Sequence, residues 1–292
     1  MAPSIQAACP LCGSLDQKIV YDLTHTNVQG GVPGLILRCC NCRMMFKQFD
    51  ADLNAVYSGK HIQADTQEQY MDGERAYQFF KKVLSKSKFY GKSIQNKPKL
   101  LDIGTGLGAM LTVADELGFA PEGVELCTEL ADVAKAKGFK VHTGKIEELC
   151  LDTQFEIITV MDVIEHLPVP MATLRAIRKH LAPKGELIVY TPNHKAPIVQ
   201  AARFLNMFGM EQPMDNIFAN NHLSFFDDDT LPRALKSVDL RMREKIVRPY
   251  DIRRPGGRIS LTNLLMVSAI ENLGYLFTGS GFRLLIYADE VS

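Results

Sequence analysis

The chain has 292 residues, 46% of them hydrophobic, and its 33 Lys+Arg balance 33 Asp+Glu. This is enough for one large domain plus a small accessory unit, and the neutral balance disfavours the non-specific polyanion binding of strongly basic proteins. No apolar signal core opens the sequence and no long window is free of polar groups, so cytoplasmic residence, reduced thiols, no stable membrane insertion and no nucleic-acid partner are expected, for a monomer or homodimer.

The seven cysteines then read as metal ligands before disulfides. Cys9-Pro10-Leu11-Cys12 and Cys39-Cys40-Asn41-Cys42 are two CxxC knuckles separated by 26 residues. Two-residue spacing lets both sulfurs of a knuckle face one ion, so Cys9, Cys12, Cys39 and Cys42 complete a tetrahedral thiolate shell for structural zinc. Cys40 is expected to point away, and His25 is the alternative fourth ligand. A closed shell has no open position for catalysis, so this unit, residues 1–50, is read as a zinc ribbon.

Residues 51–97 form a connecting segment of helical character, with Ala76, Tyr77, Phe80, Val83 and Leu84 at helical spacing. Between Glu74 and Asp102 lie eight basic residues and no acid. A solvated helix face and a phosphate-binding surface both fit that run.

From residue 98 to 292 the pattern alternates strand and helix. Leu100-Leu101-Asp102-Ile103 is an apolar strand leading into Gly104-Thr105-Gly106-Leu107-Gly108, a turn whose backbone a ligand can approach closely. Ala109–Leu117 predicts a helix ended by Gly118, and Pro121–Glu125 a strand ending in an acid suitably placed for ribose hydroxyls. Thr128–Lys137 continues as helix, Lys140–Gly144 and Phe155–Met161 as strands, Pro170–Leu181 as helix and Gly185–Tyr190 as the fifth strand. Repetition at this pitch requires a parallel sheet covered by helices, with ligands at its carboxyl edge.

LLDIGTGLG, GVE, FEIITVMDVIEHL and LAPKGELIVYTPN, in this order, resemble the motifs of the class I S-adenosylmethionine-dependent methyltransferases over residues 70–292. The N-terminal knuckles add a looser resemblance to a bacterial branch acting on sugars and secondary metabolites. The resemblance implies an α/β, Rossmann-like seven-stranded sheet, mostly parallel with an antiparallel last strand. Leu240–Tyr250 and Phe282–Asp289 would be its final hairpin, and Asn221–Phe226 would lead into its last helix.

S-adenosylmethionine is the implied cofactor and a small molecule the implied acceptor, methylated at oxygen first and carbon second. Carried onto this chain, Asp102, Gly104, Thr105 and Gly106 would surround the methionine portion. Glu125 would take the ribose, Leu126 and Ile146 the adenine, while Met161 and Asp162 close the site. Gly144-Lys145 departs from the usual Gly-Asp pair, so Glu147 or a backbone carbonyl would replace that adenine contact. His166 is the candidate base because imidazole titrates near neutral pH, packing at the next helix being the alternative, and His222 is the second candidate. Asp162, Glu165 and His166 also resemble the acid-x-x-Glu-His pattern of ubiquinone-pathway O-methyltransferases, which implies an active-site divalent metal as the lesser reading. A lid over an acceptor carrying a phosphate or an apolar chain is expected near 253–280, with Leu261, Leu264, Leu265, Ile270 and Leu273 as apolar positions, preceded by Arg248, Arg253, Arg254 and Arg258; core packing or dimerisation serves equally. A zinc-ribbon RNA-modifying methyltransferase and a non-catalytic cofactor-binding module are the rival readings.

Overall fold

A computed structural model of the chain describes residues 7–24, 33–49, 73–92, 97–218, 221–249 and 261–291, with side chains from 267 onward in the last segment. His25, Arg253, Arg254, Arg258 and the helical expectation over 52–72 lie outside them, as do the side chains of Leu261, Leu264 and Leu265.

The large sheet has seven strands: β4 (Lys99–Ile103), β5 (Ala120–Glu125), β6 (Lys140–Thr143), β7 (Phe155–Met161), β8 (Leu181–Pro192), β10 (Leu240–Arg248) and β11 (Arg283–Glu290). They run in the order β10-β11-β8-β7-β4-β5-β6, and β11 is antiparallel to both its neighbours. The expected final hairpin is therefore present. β8 begins earlier than the Gly185 start expected from the sequence, because Leu181 already pairs with Phe155 before a register shift.

Period-two alternation loads both faces of this sheet. Leu101, Ile103, Ile158, Val160, Leu187 and Val189 point one way, against α4 (Pro170–His180) and α7 (Thr230–Lys236). Leu100, Ile157, Ile188, Leu285 and Tyr287 point the other, against α1 (Gly73–Leu84) and α2 (Ala109–Glu116). Helix α3 (Thr128–Ala136) covers the β6 edge with Ala131 and Ala134.

The N-terminal unit forms a second, four-stranded sheet from β1 (Gln17–Asp22), β2 (Leu35–Cys39), β3 (Met45–Gln48) and β9 (Ser224–Phe225). β9 comes from the far side of the sequence and pairs Phe225 with Met45 and Ser224 with Phe46. One face of this sheet puts Leu35, Leu37 and Phe46 into the same core as Leu101 and Val160. The other puts Ile36 and Met45 against α5 (Pro197–Asn206) and α6 (Gln212–Phe218).

Helix α8 (Leu261–Thr278) lies against α5, where Gly274 abuts Pro197 so closely that a Cβ would come within 2.3 Å of its ring. Glu271, fully buried, accepts from the amides of Ile198 at 2.9 Å and Phe282 at 3.0 Å, tying α8 to α5 and to the entry of β11. Leu273 is 55% exposed and Phe277 85% exposed, so this end of the expected lid leaves apolar surface uncovered. Among the described residues no helix is long and apolar enough to cross a membrane.

Candidate functional site

The glycine turn leaves the carboxyl end of β4 anchored to the end of β5: the amides of Gly104 and Thr105 both donate to the Val124 carbonyl, at 2.8 and 3.1 Å. Gly104 has φ +74°, and a Cβ there would lie 2.4 Å from Val163 Cγ2, so this position admits no side chain. Register places Thr159 beside Asp102, and its hydroxyl donates to Asp102 Oδ1 at 2.6 Å. Burial nevertheless raises the Asp102 carboxyl to about 7, the hydroxyls of Thr159 and Thr105 only partly offsetting it.

Glu125 is buried at the end of β5 and accepts from two amides, Gly106 at 2.8 Å and Cys127 at 2.9 Å. These bonds hold the carboxylate against the glycine turn. Leu126, the next residue, is 40% exposed, whereas Ile146 is enclosed in the core. Glu147 accepts from the Thr173 hydroxyl and Lys145 pairs with Glu148 at 3.5 Å, so both residues around the expected adenine contact have partners elsewhere.

At the end of β7, half-buried Met161 is followed by Asp162 with φ +52°, a left-handed residue whose amide donates to the Tyr190 carbonyl at 2.8 Å. Its carboxylate takes Arg283 Nη1 at 2.5 Å. Glu165 lies one turn on, buried, accepting from Thr191 Oγ1 at 2.9 Å. Burial, and then the Asp162 charge, push its carboxyl up to about 8.

The two candidate bases meet. The rings of His166 and His222 lie 4.7 Å apart, edge to face, and His194 joins them with its ring 6.4 Å from that of His222. His166 Nδ1 is 3.4 Å from the Asn221 carbonyl oxygen. Burial lowers His166, and it lowers His222 further with the help of positive charge on His166 and His194. Among the described residues, Glu165, His166 and His222 each offer a ligand atom within 4.8 Å of the others. The set that converges therefore replaces Asp162 of the expected acid-x-x-Glu-His triplet with His222, because Asp162 turns toward Arg283.

Sequence reasoning missed Arg283, Glu271 and Lys47. Lys47 is buried on β3 and donates to the Phe218 carbonyl at 3.0 Å, with burial lowering its ammonium to about 8. Its charge acts on His222, so the small sheet reaches the site. Only burial in the folded chain distinguishes it from other lysines.

The four knuckle sulfurs gather within 4.8 Å of one another, with Cys9–Cys42 and Cys12–Cys39 each at 3.5 Å. A tetrahedron with metal–sulfur bonds of about 2.3 Å has edges of about 3.8 Å, so the group fits zinc. The knuckles are near copies: the Gly13 amide donates to Cys9 O at 2.8 Å and the Arg43 amide to Cys39 O at 3.0 Å, both residues left-handed. Cys40 is exposed and outside the cluster. In the lysine-rich run, Lys86, Lys88 and Lys97 pair with Glu244, Asp289 and Asp115.

A family profile described as a methyltransferase domain matches residues 71–245. A ubiquinone biosynthesis O-methyltransferase from Haemophilus ducreyi is 28% identical over 32% of this chain and 45% of its own length, so the chain spans less than half of that relative. One from Xanthomonas oryzae is 26% identical over 56% of this chain and 70% of its own length. In structure, a chain from the complex between the Haloferax volcanii Trm112 methyltransferase activator and a methyltransferase superposes with TM-score 0.57 at 17% identity, over 78% of this chain and 96% of that one. An S-adenosylmethionine-dependent methyltransferase from Clostridium acetobutylicum superposes with TM-score 0.52 at 11% identity, over 78% and 98% of the two chains.

Proposed function

Because the chain belongs to the methyltransferase domain family, as a class I S-adenosylmethionine-dependent methyltransferase, we propose that it methylates an oxygen of a small-molecule acceptor, with His166 as the base. The observation that carries this reading is the pair His166 and His222, 4.7 Å apart beyond the end of β7. Burial lowers both, which favours the neutral imidazole that can accept a proton. Curated relatives named as ubiquinone biosynthesis O-methyltransferases support an oxygen acceptor over a carbon one. The pairing of Lys86, Lys88 and Lys97, three of the eight basic residues in that run, with acids of the same chain supports a small molecule over RNA.

When bound, S-adenosylmethionine supplies a methyl carbon on a positively charged sulfonium sulfur. Asp102, Gly104, Thr105 and Gly106 hold its amino-acid end, where an acidic and backbone-lined surface suits a cation. Glu125 spends two acceptor sites on the Gly106 and Cys127 amides, and its remaining lone pairs serve the ribose hydroxyls. Leu126 and Ile146 flank the adenine, while Met161 and Asp162 close the site from β7. His166 takes the proton of the acceptor hydroxyl, His222 being the alternative base. Cys9, Cys12, Cys39 and Cys42 hold a structural zinc that does no chemistry.

The convergence of Glu165, His166 and His222 favours a second reading of the same site. One carboxylate and two imidazoles suit a divalent cation, which would lower the pKa of the acceptor hydroxyl and relieve His166 of the proton. Purified chain given methyl-labelled donor and a metabolite extract, with and without added manganese or iron(II), tests both readings: dependence on the added ion supports the metal, independence the His166 base. Label is expected in a small-molecule fraction and lost in His166→Ala. Label confined to macromolecules would overturn the acceptor class, and no label with any pool would favour a non-catalytic binding module.

A further inference from the structure

His194, whose ring lies 6.4 Å from that of His222, also lines a cavity of about 600 Å³ bounded by the small sheet and helices α5, α7 and α8. Arg38 reaches it from β2, directly opposite Met45 in the sheet register. Gln200 and Arg203 reach it from α5, three residues apart on one helix face. Arg43 adds a third guanidinium, carried at φ +69° where the equivalent knuckle position is Gly13.

The acids that line the same cavity, Asp227, Asp228 and Asp229, are already engaged. Asp227 accepts from the amide and hydroxyl of Thr230 at the start of α7. Asp228 and Asp229 pair with Lys195, and Asp228 also with Lys245 at 3.2 Å. Arg233 donates to the Cys42 carbonyl at 2.9 Å. Arg38 and Arg203 are both half-buried, and among the described residues neither makes an ion pair. Burial lowers Arg203, and the charge of Arg38 lowers it further. Two partly desolvated guanidiniums that repel one another are unfavourable without a counter-ion.

We propose that this cavity binds the phosphoryl group of a small organic phosphate, held between Arg38 and Arg203 with Gln200 as a neutral donor. Guanidinium forks match phosphate oxygens in bidentate geometry, and more than one of them suits a doubly charged group better than a single carboxylate. The volume lies in the range of small-molecule sites and exceeds what a bare phosphate fills. The phosphoryl group belongs either to the acceptor, entering past His194, or to a separate ligand. The site itself does not rest on the methylation reading.

Calorimetric titration of the full chain with inorganic pyrophosphate tests the site. Saturable binding is expected, weakened about tenfold or more in Arg38→Gln and in Arg203→Gln, retained in part by Arg203→Lys, and unchanged in the surface control Lys135→Gln. In phosphate-free buffer Arg203→Gln should unfold at a higher temperature than the parent, since it relieves the repulsion. No saturable binding by the parent chain, or undiminished binding in both arginine-to-glutamine variants, overturns the proposal even where methyl transfer is intact. Phosphatase treatment of the metabolite extract identifies the source: alongside pyrophosphate binding, loss of labelled product supports the acceptor's own phosphoryl group, and unchanged product supports a separate ligand.

Discussion

Arg283 Nη1 meets Asp162 Oδ1 at 2.5 Å, reaching from the antiparallel strand β11 over the intervening β8 to the residue that follows the parallel strand β7. The guanidinium also lies over the Tyr190 ring, 5.3 Å from its centroid, and its charge favours ionisation of Glu165. One side chain thus orients the left-handed Asp162 and biases the charge of the histidine-carboxylate cluster. Arg283→Gln is expected to lower kcat/KM by about 10- to 100-fold through misplacement of these groups. Because Asp162 is partly exposed, the accompanying stability loss should be about 1 kcal/mol or less. Steady-state kinetics and urea unfolding of one variant separate the two effects.

With Asp102 in its proposed place beside the donor, donor binding is expected to depend on pH. Its carboxyl rises from 3.8 to about 7 in the fold, so the folded chain keeps a proton that the unfolded chain releases. The stability this proton contributes is full below about pH 4 and lost as pH climbs toward 7. A cationic donor prefers the ionised carboxylate, so its affinity should increase as pH rises through 7, with proton release. Calorimetry in buffers of different ionisation enthalpy measures the release; Asp102→Asn should abolish it.

Removing the knuckle cysteines proposed to hold zinc should destabilise the whole chain, since β3 pairs with β9 and Phe46 shares a core with Leu101. Cys39→Ser, or strong chelation, is expected to lower Tm by about 10 °C or more, on the scale of a few kcal/mol. Cys40→Ser should leave Tm unchanged. Calorimetric scans that showed the ribbon melting alone, with the main transition unmoved, would contradict the shared core.

Gly104→Ala should abolish donor binding at a modest expense of fold. The added Cβ meets Val163 Cγ2 at 2.4 Å and φ is +74°, so the turn must shift to accept it. A combined Gly104→Ala and Val163→Ala variant removes the clash and leaves the conformational strain of about 1–2 kcal/mol. Partial recovery of donor affinity in the double variant checks this account.

Glu271→Leu removes the acceptor for two amides that the fold keeps partly buried, Ile198 and Phe282. Each amide left without a partner costs about 1–3 kcal/mol. Hydrogen exchange should quicken in α5, α8 and the start of β11, with β4 and β7 unaffected.

Much of this molecule can be read from residues close together in the chain. The alternation in Phe155–Met161, the turn at Gly104, the acid at Glu125 and the paired knuckles each follow from backbone geometry or ligand spacing acting over a few residues. The mostly parallel seven-stranded sheet and its antiparallel ending followed from family resemblance, whose motifs are equally local, whereas the strand order came from the tertiary structure. By contrast, β9 is two residues long and carries no periodicity; it becomes a strand because β3 presents an open edge to it. His166 and His222 were separable as candidates, but their meeting depends on how the chain returns after β8. Arg283, Lys47, Glu271 and the Arg38–Arg203 cavity have no motif at all, because their roles arise from burial and charge between elements distant in sequence. Local chemistry determined the class of cofactor and the fold that holds it; long-range packing decided which side chains share a low-dielectric space, and therefore which of them can bind, orient or exchange a proton.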